Sequence, residues 1–215
     1  MALKKLELGF DAGSAPLPPS IVAWLTLARR EIELFWDQLR KTKKREYVEC
    51  DFDFVAGVLQ ICLQKDLLPQ RTLVEWGCGF GVVTGLAELL GMNSVGIEAE
   101  QFLVAAGRRL HGKGGLQGHI WHANFLPAGA SELAEEEDPR ISLQYASLPS
   151  AYDLHDCNLN DFGCVFCYAW PGEEHFVKQV FDHFAAHSTV LILFRGPFHV
   201  EVYRKIRVPF EEQHS

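Results

Sequence analysis

The chain has 215 residues, 48% of them apolar, and a formal charge of −8. That length supports one well-buried core and is short for two domains of ordinary size, while the acidic balance argues against a broad electrostatic grip on nucleic acid, which depends on Lys and Arg neutralising phosphates. Cys50, Cys62, Cys78, Cys157, Cys164 and Cys167 are spread through apolar segments and read as reduced thiols, favouring the cytoplasm; with no apolar stretch after Lys4 and Lys5 and no run near the roughly 18 residues of a membrane span, a soluble, unprocessed chain is expected.

Residues 1–17 mix Gly, Pro, Ser and Ala with little periodicity and read as a flexible N-terminal arm. The rest, 18–215, reads as a single domain in which 18–69 form a helical extension or cap and 70–208 an α/β core. Pro18 and Pro19 suit a helix start, and Ile21, Trp24, Leu25, Ala28, Ile32, Phe35, Trp36 and Leu39 recur at three- and four-residue steps. They predict an amphipathic helix that lies on the sheet or roofs a pocket. It closes in Arg40-Lys41-Thr42-Lys43-Lys44-Arg45, read either as cations suited to a helix C-terminus or as an anion-binding patch on the substrate side. An extended piece from Tyr47 to Cys50 then leads to a second helix, with Asp51 as its N-cap and Phe54, Val55, Val58, Leu59, Cys62 and Leu63 along its apolar face.

Thr72 to Gly91 reads as strand, tight loop and helix, with acidic Glu75 followed by glycines at alternate positions 77, 79 and 81. Such a loop turns sharply and leaves no side chain between its backbone and a ligand. The dinucleotide fingerprint G-x-G-x-x-G/A fits in neither frame, because Val82 or Thr84 stands where its last small residue is needed. An acidic residue and then G-x-G-x-G, here Glu75-Trp76-Gly77-Cys78-Gly79-Phe80-Gly81, resembles instead the signature of the class I S-adenosylmethionine-dependent methyltransferases. The resemblance covers about Tyr47 to Ile206. It implies a Rossmann-like α/β fold, a doubly wound and mostly parallel sheet behind the helical extension, with S-adenosylmethionine as cofactor and S-adenosylhomocysteine as product. It also places Glu75, Gly77, Cys78, Gly79 and Gly81 at the cofactor, and Tyr47 beside it on the approaching segment. For Tyr47, simple packing at the start of the helix is the other reading. Glu98 ends the next strand, Asn93 to Ile97, about twenty residues past the first glycine, where a carboxylate can take both ribose hydroxyls.

Gln101 to His111 predicts a helix stopped by Gly112, Gly114 and Gly115, and His119 to Ala123 a third strand. The resemblance puts Asn124 and Phe125, at the end of that strand, against adenine; an ordinary turn asparagine is the alternative. Residues 127–160 are irregular and hold the acidic run Glu135-Glu136-Glu137-Asp138, so they read as a lid or as a solvated excursion. The fourth strand is Cys164 to Tyr168, followed by Ala169, Trp170 and Pro171. In the resembling family the segment after this strand borders methyl donor and acceptor, which makes Tyr168 and Trp170 the candidates nearest the chemistry. This segment departs from the Asn/Asp-Pro-Pro-aromatic sequence of amino-group nucleic-acid methyltransferases, so bases are disfavoured as acceptors. Glu173 and Glu174 suit the first turn of a helix running to about His187. Thr189 to Phe194 and Val200 to Ile206 read as fifth and sixth strands, and no sequence is evident for a further antiparallel strand of the usual methyltransferase sheet.

Ligands collect at the carboxyl ends of parallel strands near the point where strand order reverses, so the loops after the first four strands should share one cleft. Cys164 and Cys167 have CxxC spacing but should point to opposite faces of a strand. The pairs His119/His122 and His183/His187 lack a third ligand, and no metal is expected. The leading expectation is a methyltransferase acting on a small molecule or a protein side chain, without nucleic acid or membrane as partner. Its rivals are a non-catalytic adenosyl-ligand-binding scaffold and a nicotinamide-dependent oxidoreductase.

Overall fold

The computed structural model describes residues 2–9, 16–39, 48–135 and 141–207. The elements in chain order are β1 (Ala2–Lys5), α1 (Pro19–Leu39), α2 (Phe52–Gln64), β2 (Thr72–Trp76), α3 (Val82–Leu89), β3 (Asn93–Glu98), α4 (Gln101–Gly114) and β4 (Ile120–His122). After an excursion of 3-10 turns come α5 (Ala151–Leu154), β5 (Cys164–Cys167), α6 (Glu174–Phe184), β6 (Val190–Gly196) and β7 (His199–Ile206). Tyr47, the basic cluster 40–45 and the acids at 136–138 fall outside the described residues.

The seven strands form one sheet in the order β1-β7-β6-β5-β2-β3-β4. β2 pairs in parallel with β3 and β5, β3 with β4, and β5 with β6. β7 turns back antiparallel on β6, and β1 adds antiparallel to β7. The chain winds one way from β2 through β3 to β4 and the other way from β2 to β5 and β6, so the reversal falls at β2. That is where the three-glycine loop leaves the sheet.

The N-terminal residues depart from the expectation of a flexible arm. Ala2 to Lys5 pair with Ile206 to Tyr203, and the Leu6 N–H continues the ladder to the Val202 carbonyl at 2.8 Å. The outermost strand, for which no segment is evident near the C-terminus, is supplied by the other end of the chain. Four residues carry no periodicity of their own, and only the exposed edge of β7 makes them a strand.

Two apolar layers flank the sheet. On one face Val55, Leu59, Val83 and Leu86 of α2 and α3 pack on Leu73, Cys164 and Ile192, with Trp24 and Ile32 of α1 outside them. On the other, Val177 and Phe181 of α6 pack on Val74, Val165 and Leu191, with Tyr152 and Leu159 from the excursion. Cys164 and Cys167 divide between these two layers, as strand alternation requires. Asp51 caps α2 by accepting the Phe54 N–H at 3.1 Å. The Trp24 indole N–H fixes α1 to the Val82 carbonyl at 3.0 Å, and Trp36 further along the helix reaches the cleft. The first helix therefore both covers α3 and walls the pocket.

Candidate functional site

The carboxyl ends of β2, β3, β4 and β5 open into one cleft of about 660 Å³, within the range of about 300–1,000 Å³ typical of small-molecule sites. Gly77 and Gly79 line it from the loop after β2, Glu98 and Glu100 from β3, and Asn124 and Phe125 from β4. Tyr168, Ala169 and Trp170 line it from β5, with Phe194 and Arg195 beyond them on β6.

The loop is shaped by its glycines, with positive φ at Gly77, Gly79 and Gly81. Its N–H groups are partly taken already: Cys78 donates to the Ile97 carbonyl at 2.9 Å and Gly79 to Glu98 Oε2 at 2.8 Å. The other oxygen of Glu98 accepts the Glu100 N–H at 2.8 Å. Each carboxylate oxygen holds two lone pairs, so acceptor capacity remains on the side facing the cleft. Burial raises the Glu98 carboxyl above its ordinary value, and the backbone hydrogen bonds oppose that rise.

Glu75, Cys78 and Gly81, expected at the cofactor, do not line this cleft. Glu75 is buried and accepts both the N–H and the hydroxyl of Thr84, at 2.7 and 2.6 Å. Since Gly81 offers α3 no side-chain cap, Glu75 satisfies the N-terminal donor that a capping residue would otherwise take. Burial pushes its carboxyl up to about 8, the Thr84 bonds pulling down and the Glu98 charge adding to the rise. Cys78 directs its side chain inward beside Val104 and Ile120, and burial raises its thiol well above the usual range. Gly81 lies against Ile120 and His111, and the His111 imidazole holds its carbonyl at 2.8 Å. Glu75 and Gly81 thus shape the loop and its helix, and Cys78 packs beneath it.

Asn124 faces the cleft, but its Oδ1 accepts the Leu126 N–H at 3.0 Å, so it also serves as a turn residue. Phe125 stacks on Trp76 at 5.0 Å between centroids and 17° between planes, and the Trp76 indole N–H donates to Tyr152 Oη at 2.8 Å. Tyr168 meets Phe194 edge-on at 4.8 Å. Both Tyr168 and Trp170 remain more than one-third exposed, at 36% and 38%.

Several wall residues were not anticipated. Trp76 stands inside the glycine motif without an assigned role, and its signal is an aromatic at a strand end beside such a loop. Glu100, two residues past Glu98, had a comparable signal. Ser142 and Tyr145 had none, because they lie in the irregular excursion and reach the cleft only through tertiary contacts. Glu173, expected to suit the first turn of the helix, stands at the N-cap position of α6, buried, and accepts from Ser142. Arg195 pairs with Glu174 at the rim. No group of three metal ligands occurs among the described residues, and none of their helices is long and apolar enough to cross a membrane.

No protein-family model matches the chain, and no curated protein does. Solved structures similar to it include an RNA methyltransferase from Salinibacter ruber with S-adenosyl-L-homocysteine, at 16% identity and TM-score 0.44 over 71% of this chain and 94% of that one. A precorrin-6y C5,15-methyltransferase from Geobacter metallireducens aligns at 15% identity and TM-score 0.45, over 70% of this chain and 66% of that one. An S-adenosylhomocysteine-bound methyltransferase from Podospora anserina aligns at 16% and 0.44, over 84% of this chain and 63% of that one. Likenesses of this size leave function to be argued from the cleft's own residues.

Proposed function

We propose that the chain is an S-adenosylmethionine-dependent methyltransferase whose acceptor is a small molecule or a protein side chain. The observation that carries this reading is the convergence, at the point where strand order reverses, of an open glycine loop, a strand-end carboxylate and an aromatic wall in one cleft. The residues fit the cofactor. Gly77 leaves open space on its cleft side, Glu98 keeps lone pairs for ribose hydroxyls, and Phe125 on Trp76 offers a flat apolar surface for adenine. When bound, the cofactor supplies a sulfonium methyl group to a nucleophile in line with it. What the chain contributes is alignment and exclusion of water, to which Tyr168, Trp170 and Phe194 add a wall whose π faces attract a sulfonium.

The dinucleotide alternative loses support, because Val82 and Thr84 are both fully buried in α3 and Thr84 is engaged by Glu75. The test is incubation of cell extract with methyl-labelled donor and the protein, followed by separation of small-molecule, protein and nucleic-acid fractions. Label in either of the first two fractions is expected. Label confined to nucleic acid would overturn the acceptor class. S-Adenosylhomocysteine binding without any labelled fraction would leave a ligand-binding scaffold, and absence of binding would remove the reading altogether.

A further inference from the structure

Glu173 is 1% exposed and stands just before α6, on the turn that carries Trp170, its N–H bonded to the Trp170 carbonyl at 2.9 Å. A buried carboxylate is costly unless it is fully hydrogen-bonded, and α6 gives it no capping bond. Its partner comes from a distant segment: Ser142 donates its N–H at 2.8 Å to one oxygen and its hydroxyl at 2.5 Å to the other. Ser142 begins a 3-10 turn that ends at Tyr145, and both residues line the cleft. At the far end of the turn the Tyr145 hydroxyl donates to Glu100 Oε1 at 2.9 Å. Glu100 in turn donates its N–H to Glu98, whose second oxygen holds the Gly79 N–H. One hydrogen-bonded chain thus runs from the Trp170 turn, across the cleft, to the glycine loop.

We infer that Glu173 and Tyr145 are positioning residues that fasten the 142–145 turn over the cleft as the wall confining the methyl acceptor. The inference rests on the methyltransferase reading, because it assigns the Trp170 side of the cleft to the acceptor. Charge-assisted bonds from one residue to both oxygens of Glu173 fix the turn's direction as well as its distance. The bond to Glu100 sets the other end of the turn by reference to the donor side. Acceptor confinement therefore depends on two carboxylates, neither of which needs to touch the acceptor.

The test uses the full chain with Glu173→Ala, Glu173→Gln and Tyr145→Phe. Glutamine keeps one oxygen for the Ser142 N–H and lets the hydroxyl turn to accept from the new amide, so it is the conservative rescue. Expected in Glu173→Ala are amide exchange at 142–145 faster by about tenfold or more, S-adenosylhomocysteine affinity within about threefold of wild type, and an acceptor KM raised by about tenfold or more. Tyr145→Phe should move the same way by a smaller factor, and Glu173→Gln should return exchange and KM most of the way to wild type. Faster exchange with an unchanged acceptor KM would overturn the inference, as would a loss of donor affinity equal to the rise in acceptor KM. Should Glu173→Ala not fold, Tyr145→Phe and Glu173→Gln decide by the same measurements. A wild-type chain that transfers no methyl group sinks the methyltransferase reading and the acceptor wall together, whereas normal acceptor KM in the variants sinks the wall alone.

Discussion

Gly77 and Gly81 have nearly the same positive φ, +66° and +68°, yet a side chain added at each would meet different surroundings. At Gly81 a Cβ would lie 2.7 Å from Ile120 Cδ1 and 3.0 Å from His111 Nε2, whereas at Gly77 it would meet nothing within 4 Å. Gly81→Ala should therefore cost about 2–4 kcal/mol of stability, overpacking added to left-handed strain, with ligand affinity intact in the folded fraction. Gly77→Ala should lose only about 1–2 kcal/mol of stability but weaken S-adenosylhomocysteine binding, because the new methyl group enters the cleft. Urea denaturation and calorimetry on both variants check the contrast, and equal effects on affinity would place the ligand elsewhere. Glu98→Ala should affect both quantities. It leaves the Gly79 and Glu100 N–H groups without their acceptor, at about 1–3 kcal/mol, and removes the predicted ribose bonds, at about 1.5–3 kcal/mol of affinity. Unchanged affinity in a folded Glu98→Ala protein would make that carboxylate purely a loop brace.

At the scale of elements, α3 is docked onto β2 by Glu75, and this makes its stability depend on pH. The folded carboxyl is raised to about 8 from an ordinary 4.5, so between those values the folded state holds a proton that the unfolded chain has released. Stability from this group is fully present below pH 4.5 and is lost as pH rises through 8. Glu98, raised by burial too, acts in the same direction. The Glu75→Gln variant should flatten the loss and exceed wild type above about pH 8, by an amount on the order of a few kcal/mol. Chemical denaturation across that window checks it, and parallel wild-type and variant profiles would mean that Glu75 is ionised in the fold. The strand-loop-helix-strand unit around Glu75 was legible because its signals are local: an apolar run, spaced glycines and a strand-end acid. Which loop residues line the cleft was not. Cys78 and Gly81 belong to the same motif as Gly77 and Gly79, and it is contacts with Ile97, Ile120 and His111, distant in sequence, that set them apart. β1 was illegible for a related reason, since its partner lies some 200 residues along the chain. Removing residues 1–9 should expose the outer edge of β7, lower stability and promote concentration-dependent association, while leaving cofactor affinity unchanged. Sedimentation and calorimetry separate these effects.

For the whole molecule, the position of the cleft followed from topology, since parallel strands that alternate with helices bring the four loops together at the reversal of strand order. The turn that crosses it was out of reach, because its anchors, Glu100 and Glu173, are joined to it only in three dimensions. The same cleft is lined by Tyr168 and Trp170, which the resemblance placed at the donor–acceptor boundary, each partly exposed. Tyr168 is buttressed by Phe194, so removal of its hydroxyl leaves the ring in place and tests the hydroxyl alone. Trp170→Ala removes a large apolar face and tests shielding and cation–π attraction, worth about 0.5–2 kcal/mol. Neither residue contacts Glu98 or the glycine loop through any described hydrogen bond, so both variants should retain most S-adenosylhomocysteine affinity. Transfer to the true acceptor should fall by an order of magnitude or more, equivalent to about 1.4 kcal/mol of barrier. Wild-type transfer in both variants would move the acceptor away from the end of β5. The part of the cleft lined by the Arg195–Glu174 pair would then be where the acceptor has to be sought.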